Sequence, residues 1–274
     1  MGVLAGEPYH LPGTGGPGGI SLRSVPIGSG RERRNLIVAI PPPGIAGQFP
    51  VMYLHDGQNL FDPATSHAGD WGLVATLNDL TAQGIAAIVV GIPNRGRRRK
   101  YDYNPFRDFW FGRGGWGRGS GGGGGDRYLR FLREDVKPLI DHSFPTRAEP
   151  EHTVIAGSSL GGLISLYAVC RHGDVFGAAG VLSPALWVSR RAIYRFVRNH
   201  PPPSTCRVYL DVGTGEGAEQ VQDVRELRDL LRERRDRAPH LSYIEDAGGE
   251  HNEAAWGRRF RAAARFLVGR PGTE

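Results

Sequence analysis

The sequence has few cysteines and no long apolar run, and both shortages exclude classes of protein. Only two of its 274 residues are cysteine, Cys170 and Cys206, so neither a disulfide framework nor a cysteine-rich metal site is expected. No stretch approaches the roughly 20 apolar residues of a membrane span. The first residues also lack the basic and apolar regions of a signal peptide. We therefore expect a cytoplasmic protein with no membrane partner and no metal or organic cofactor.

Composition and low-complexity segments suggest one large domain. Hydrophobic residues make up 39% of the chain, which is enough for a sizeable core. Residues 1–20 are rich in glycine and proline and are expected to form a flexible leader before a single domain at 21–270. The glycine-rich segment 112–125 is expected to be a mobile loop of that domain. It lacks the Gly-Lys-Ser/Thr ending of a phosphate-binding loop.

Strand-like apolar runs alternate with stretches of helical periodicity along most of the chain. The expected strands are 21–27, 33–40, 51–55, 85–92, 152–157, 176–182, 207–213 and 241–246. The expected helices are 70–82, 126–141, 160–171, 189–199 and 218–236. This alternation predicts an α/β fold with a mostly parallel, eight-stranded sheet and helices on both faces. The first two runs are more polar, as in an antiparallel hairpin at the sheet edge.

The most informative motif is Gly-Ser-Ser-Leu-Gly at 157–161, in which only Ser159 has glycines two residues away on both sides. A short apolar run precedes the motif, and a helical pattern follows it. A tight strand-to-helix turn of this kind raises the serine hydroxyl above the carboxyl edge of the sheet. It also aims the N–H of the next residue, Leu160, at a developing oxyanion. Ser159 is therefore the candidate nucleophile.

A serine nucleophile needs a base, and the base needs an acid that orients it. With this turn the chain order is serine, acid, histidine, each after a later strand. Glu216 lies in the loop after the seventh expected strand and is the preferred acid, while Asp211 and Asp223 remain alternatives. His251 lies in a glycine-bearing loop between the last strand and an amphipathic terminal helix, where the base is required.

A second oxyanion donor is expected in the turn after the strand 51–55. The sequence there, His-Asp-Gly-Gln-Asn, would direct a backbone N–H inward. The pattern leaves open whether that N–H belongs to Gln58 or to Asn59. Leu160 and Gln58 are taken as the candidate pair.

Three residues are candidates for contacting a substrate. Asn94 and Arg95 follow the strand 85–92 at the same sheet edge as Ser159, and Arg95 begins a basic run that would favour anionic esters. Trp187 follows the sixth strand and either lines an acyl or aryl pocket or belongs to the core. The aromatic-rich segment 101–116 has the composition of a lid.

Taken together, these segments resemble the Putative esterase family of α/β-hydrolases. That family includes S-formylglutathione hydrolase, feruloyl and acetyl-xylan esterases, enterochelin esterase and mycolyltransferases. The matching segments are HDGQNLFDP (55–63), GIPN (91–94), GSSLGGLISLY (157–167), SPALW (183–187), DVGTGE (211–216) and GGEHNEAAW (248–256).

The resemblance implies an α/β-hydrolase fold with Ser159 as nucleophile, Glu216 as acid and His251 as base. The expected activity is hydrolysis of small or aryl esters, including feruloyl-type or anionic ones, through an acyl-enzyme. An acyltransferase using the same triad is the alternative. Binding of anions or nucleic acid by the basic segments would leave the ordered triad unexplained, so no nucleic-acid partner is expected. Self-association is left open.

Overall fold

The computed structural model describes residues 6–9, 19–29, 33–66, 69–107, 121–233 and 238–269. Within these ranges nine strands form one sheet, in the order β1-β2-β3-β5-β4-β6-β7-β8-β9. The strands are β1 (Glu7–Pro8), β2 (Ser21–Ile27), β3 (Arg34–Ile40), β4 (Val51–His55), β5 (Ile88–Ile92), β6 (Thr153–Ser158), β7 (Ala178–Leu182), β8 (Arg207–Gly213) and β9 (His240–Asp246).

The predicted α/β class is confirmed, with one strand more than the eight expected. The extra strand is β1, whose two residues pair antiparallel with β2. A pairing of two residues is too short to leave a periodic signal in the sequence. Strand β1 lies inside the expected leader, of which residues 1–5 and 10–18 are outside the described part of the chain.

Parallel pairing runs through most of the sheet and ends at one side. Strands β5, β4, β6, β7, β8 and β9 are mutually parallel. The edge formed by β1, β2 and β3 is antiparallel, and β3 also pairs antiparallel with β5. The expected hairpin at the sheet edge is therefore present.

Helices occupy the intervals between the later strands, as predicted, and a last helix follows β9. They are α1 (Leu73–Ala82), α2 (Arg99–Tyr103), α3 (Gly125–Phe131), α4 (Lys137–Ser143), α5 (Leu160–Arg171), α6 (Val188–Asn199), α7 (Ala218–Arg232) and α8 (Glu253–Val268). Helices α3 and α4 are joined by a π-helical turn at Leu132–Val136, so they form one continuous element. No helix in the described ranges is both long and apolar enough to cross a bilayer.

Two apolar clusters cover the two faces of the sheet. Alternate residues of β4 belong to different clusters: Val51 and Tyr53 pack on one face, and Met52 and Leu54 on the other. Helix α5 contributes to the first cluster, and α8 contributes to the second. Burial on both faces explains why the central strands are uninterrupted apolar runs. The carboxyl ends of β4, β6, β8 and β9 share one edge, and their loops meet there.

Candidate active site

The turn between β6 and α5 holds Ser159 in an unusual backbone conformation. Its φ is 58° and its ψ is −118°, a region that non-glycine residues rarely adopt. The flanking glycines allow this turn to pack on His55. A Cβ at Gly157 would lie 3.0 Å from His55 Cδ2, and one at Gly161 would lie 3.3 Å from His55 Cβ. A side chain at either glycine would therefore require His55 to shift by a few tenths of an ångström.

Ser159, His251 and Glu216 form one hydrogen-bonded line across the carboxyl edge of the sheet. His251 Nε2 lies 3.1 Å from Ser159 Oγ, and His251 Nδ1 lies 2.7 Å from Glu216 Oε2. The histidine side chain is 42% exposed, whereas that of Glu216 is 1% exposed. The imidazole of His251 thus faces solvent, while its carboxylate partner is enclosed.

The loops that carry Glu216 and His251 are joined to each other. The N–H of Gly215 donates to the Gly249 carbonyl at 2.9 Å. A Cβ at Gly213 would lie 2.1 Å from that same carbonyl oxygen, so the close approach excludes a side chain there. Helix α8 begins immediately after His251, where the Asn252 side chain accepts from the Ala255 N–H at 2.9 Å. These contacts bring the acid and the histidine together.

The surroundings of Glu216 favour its ionised form. Burial alone would raise its pKa, but hydrogen bonds from His251, Ser183 and the Gly213 N–H hold the pKa below its usual range. The two alternative acids lie elsewhere. Asp211 is buried on β8, where it accepts from the Ser183 N–H and from Arg259. Asp223 lies on α7 beside Arg191.

The turn after β4 lies beside the nucleophile and begins with Asp56, whose φ is 55°. The Asn59 N–H donates to the Asp56 carbonyl at 2.8 Å, which closes the turn. Asn94, in the loop after β5, is bonded to this turn: its Nδ2 donates to Asp56 Oδ1 at 2.6 Å, and its N–H donates to Gln58 Oε1 at 3.1 Å. Asn94 therefore contacts the turn, through both its side chain and its backbone.

Two arginines of the basic run after β5 form ion pairs within the protein. Arg95 makes two hydrogen bonds to Asp102, at 2.6 and 2.8 Å, and its side chain is only 10% exposed. Arg99 binds both carboxylate oxygens of Asp56 at 2.8 Å. Arg95 thus links the loop after β5 to α2, and Arg99 links α2 to the turn after β4.

Trp187 belongs to the surface rather than to the core. It is 55% exposed. Its segment reaches the nucleophile turn, because the Ala185 N–H donates to the Ser159 carbonyl at 3.0 Å. Residues 189–191, which follow it, have positive φ angles of 53–61°. Residues 108–116 of the expected lid and 112–120 of the glycine-rich loop lie outside the described residues.

A family model described as "Putative esterase" matches residues 29–267. The chain belongs to the Putative esterase family. The family assignment made from the sequence is thus confirmed, and it makes the protein a carboxylic-ester hydrolase. Among curated proteins, the chain is 25% identical to the uncharacterized protein YbbA of Bacillus subtilis, over 82% of this chain and 88% of that protein.

Other relatives are named for siderophores. The siderophore enterobactin esterase of Emericella nidulans is 27% identical, over 71% of this chain and 67% of that protein. Among solved structures, the siderophore hydrolase EstA from Aspergillus nidulans superposes with a TM-score of 0.71 at 21% identity, covering 90% of this chain and 94% of that one. At that identity the superposition shows a shared fold.

Several residues that surround the candidate triad of this esterase were not found from the sequence. Ser183 and Arg259 both contact Glu216, and the Trp256 ring packs edge-on against His251 with centroids 4.8 Å apart. One signal was available for Arg259. It falls on the buried stripe of α8 that Trp256 and Phe260 also occupy, and a charge on such a stripe predicts a buried partner. Within the described ranges, no group of three or more acidic, histidine or cysteine side chains is arranged to hold a metal ion.

Proposed function

We propose that the protein hydrolyses carboxylic esters through an acyl-enzyme, with Ser159 as nucleophile, His251 as general base and Glu216 as the orienting acid. The observation that carries this proposal is the pair of contacts made by the His251 ring. Its Nε2 lies 3.1 Å from Ser159 Oγ, and its Nδ1 lies 2.7 Å from Glu216 Oε2. The chain order of the three residues also matches the order that an α/β-hydrolase requires.

The oxyanion hole is proposed to consist of the backbone N–H groups of Leu160 and Gln58. Leu160 is the first residue of α5, so its N–H has no partner within the helix. The Asn59 N–H is already bonded to the Asp56 carbonyl, which favours Gln58 over Asn59 as the second donor. Two fixed donors of this kind stabilise a tetrahedral oxyanion without reorganisation.

In the first half-reaction, His251 Nε2 takes the proton of Ser159 as Oγ attacks the ester carbonyl. The imidazolium is stabilised by the Glu216 carboxylate and then protonates the leaving alcohol. In the second half-reaction, His251 deprotonates a water molecule that attacks the acyl-enzyme, and the acid product leaves. The exposed His251 side chain gives water direct access to this step.

The substrate is proposed to be an ester with an aryl-bearing acyl or alcohol group, and siderophore esters are the first class to test. The exposed indole of Trp187, on the segment bonded to Ser159, supports aromatic contact with the substrate. The names of relatives such as the siderophore enterobactin esterase support the siderophore class. Asn94 and Arg95 are engaged with Asp56 and Asp102, so they are proposed to shape the site rather than to contact substrate.

The test is turnover of p-nitrophenyl acetate and butyrate, methyl ferulate and enterobactin by the wild type and by Ser159→Ala. We expect Ser159→Ala to lose on the order of 10⁴-fold or more in kcat while keeping the wild-type melting temperature. A Ser158→Ala variant is the matched control, since Ser158 is the adjacent serine of the same motif, and should retain turnover. Retained turnover in Ser159→Ala would overturn the assignment of the nucleophile.

Hydrolysis and acyl transfer would use the same triad. They differ in whether water or an alcohol accepts the acyl group from Ser159. Product analysis with added alcohol distinguishes the two: free acid as the main product supports the hydrolase, and a new ester supports the transferase. Nucleic-acid binding by residues 95–100 is less favoured, because Arg95 and Arg99 are paired with Asp102 and Asp56.

A further inference from the structure

Beneath the candidate triad, two buried carboxylates share one arginine. Arg259 Nε lies 3.1 Å from Asp211 Oδ2, and Arg259 Nη2 lies 3.4 Å from Glu216 Oε1. The third nitrogen, Nη1, lies 3.3 Å from Asp246 Oδ2. The Arg259 side chain is 5% exposed, and the Asp211 side chain is fully buried. A buried guanidinium is costly unless it is paired, and here every nitrogen faces a carboxylate.

Ser183 connects the two carboxylates from the opposite side. Its N–H donates to Asp211 Oδ1 at 3.1 Å, and its hydroxyl donates to Glu216 Oε1 at 2.5 Å. The same hydroxyl oxygen accepts from Arg259 Nη2 at 2.7 Å and from Trp256 Nε1 at 3.1 Å. Ser183 is therefore held from helix α8 while it holds Glu216.

The two oxygens of Glu216 consequently have separate partners. Oε1 accepts from the Ser183 hydroxyl, from the Gly213 N–H at 2.8 Å and from Arg259. Oε2 is left for His251 Nδ1. Because Oε1 is held from three directions, the carboxylate cannot rotate without breaking several bonds. Its orientation toward His251 is therefore determined by Ser183, Gly213 and Arg259.

We propose that Arg259 is a positioning residue for the triad. It holds Glu216 Oε1, directly and through Ser183, so that Oε2 stays aimed at His251, and Asp211 anchors Arg259 in turn. This inference rests on the proposed function, because it gives Glu216 the role of triad acid. It also explains Asp211, the alternative acid: this carboxylate binds Arg259 and not His251.

A purely structural role is the competing explanation, since Arg259 also neutralises Asp211 inside the protein. Removing Arg259 alone would leave an uncompensated buried charge and destabilise the fold. The informative variant is therefore the neutral pair Arg259→Met/Asp211→Asn, which removes both charges together. Asp211→Asn alone shows what the loss of Asp211 contributes. Arg261→Met is the matched surface control, because its side chain is 48% exposed on the same helix and pairs with Asp79, outside this network.

The experiment is a double-mutant cycle between this neutral pair and Glu216→Gln, with kcat and KM measured on p-nitrophenyl butyrate. If Arg259 acts through Glu216, the neutral pair lowers kcat by on the order of 10- to 100-fold when Glu216 is present. KM should stay within about twofold. In the Glu216→Gln background the neutral pair should lower kcat by less than about twofold, because the group that it positions is gone.

An unchanged kcat in the neutral pair, or the same loss in both backgrounds, would overturn the proposal. Melting temperatures and titration with an active-site phosphonate establish that each variant is folded. If the neutral pair does not fold, Arg259→Lys replaces it in the cycle, since a lysine can face Asp211 but cannot also reach Glu216. Failure of the triad itself gives a different result: Glu216→Gln alone would then leave kcat unchanged.

Discussion

His55 is a fully buried histidine that packs against the two glycines around Ser159. Its Nδ1 lies 2.8 Å from the Tyr128 hydroxyl, and its Nε2 has no hydrogen-bond partner among the described residues. Burial lowers the pKa of His55 from 6.5 to about 3, so the ring stays neutral in the folded protein under ordinary conditions. Between about pH 6.5 and pH 3, His55 therefore takes up a proton in the unfolded chain but not in the folded protein.

We predict that His55 makes stability fall as the pH is lowered. Below pH 6.5 the unfolded chain takes up a proton at His55, whereas the folded protein does not until the pH nears 3. The free energy of unfolding should therefore lose up to about 1.4 kcal/mol per pH unit across that window from this residue. Urea unfolding at pH 7, 6, 5 and 4 measures the loss.

The variant that isolates this contribution is His55→Gln, which keeps a polar group near Tyr128. Its stability should fall less steeply with acid than that of the wild type, and His240→Gln, at an exposed histidine on β9, should keep the wild-type slope. Parallel curves for the wild type and His55→Gln would contradict the prediction.

At the scale of single residues, the order of residues along the chain was informative, whereas individual hydrogen bonds and contacts could not be predicted from it. The proximity of Ser159, Glu216 and His251 could be predicted because each follows a parallel strand, and such strands end at one edge. The choice between Gln58 and Asn59 depends on one backbone hydrogen bond, which no pattern encodes. The sequence also left the place of Trp187 open, because an aromatic residue after a strand suits both a core and a surface.

Among the elements, the turn after β4 depends most on its neighbours. It is held by Asn94 from the loop after β5 and by Arg99 from α2. If Gln58 supplies an oxyanion donor, these two residues hold that donor in place. Donors that are fixed before the reaction are worth more than donors that must be ordered during it.

We predict that Asn94→Ala lowers kcat on the order of tenfold, less than the 10²- to 10³-fold typical when an oxyanion donor is removed. KM should change little, since both the side chain and the backbone N–H of Asn94 are bonded to the turn. Steady-state kinetics on p-nitrophenyl butyrate provide the measurement. Asn35→Ala, at an exposed position on β3, is the matched control. A rise in KM at constant kcat would instead indicate direct substrate contact by Asn94.

The positions of most elements could be predicted, since apolar periodicity is strong where an element is buried. Helix α5 begins and ends at the predicted residues, and most strands begin and end within three residues of the expected positions. Two elements were missed for physical reasons. Helix α2 has five residues and depends on the ion pairs of Arg95 and Arg99. Strand β1 depends on its pairing with β2.

For the whole molecule, helix α8 links the core to the candidate site. Its first turns carry Trp256 and Arg259, which contact His251 and Glu216. The next residue of the helix, Phe260, is fully buried and packs against Trp71, with ring centroids 5.3 Å apart. The same helix therefore stabilises one face of the sheet and orders the base and the acid.

We predict that Phe260→Ala destabilises the protein by about 3–5 kcal/mol, because it leaves a cavity between α8 and the sheet. The melting temperature should fall by roughly 10 °C, which differential scanning calorimetry measures. Arg261→Ala, at a half-exposed residue on the same helix, should change stability by less than about 1 kcal/mol. Equal effects of the two substitutions would show that α8 contributes little to the core.

The fold class was the most predictable property of the molecule. Uninterrupted apolar runs such as 88–92 require cover on both faces, and the intervening helical periodicity supplies that cover. What periodicity could not supply was the network of charges under the site. The burial of Asp211 and Arg259 is compensated in part by their ion pair, which joins β8 to a helix 48 residues later.

The backbone of Ser159 has an evolutionary consequence. With φ at 58° and ψ at −118°, this position suits glycine, and serine there costs on the order of 1–3 kcal/mol. Serine and glycine codons differ by a single base in several cases. A lineage freed from the need to cleave esters would therefore gain stability by one substitution at the reactive position. At residue 159, therefore, the residue that the backbone favours differs from the residue that the proposed catalysis needs.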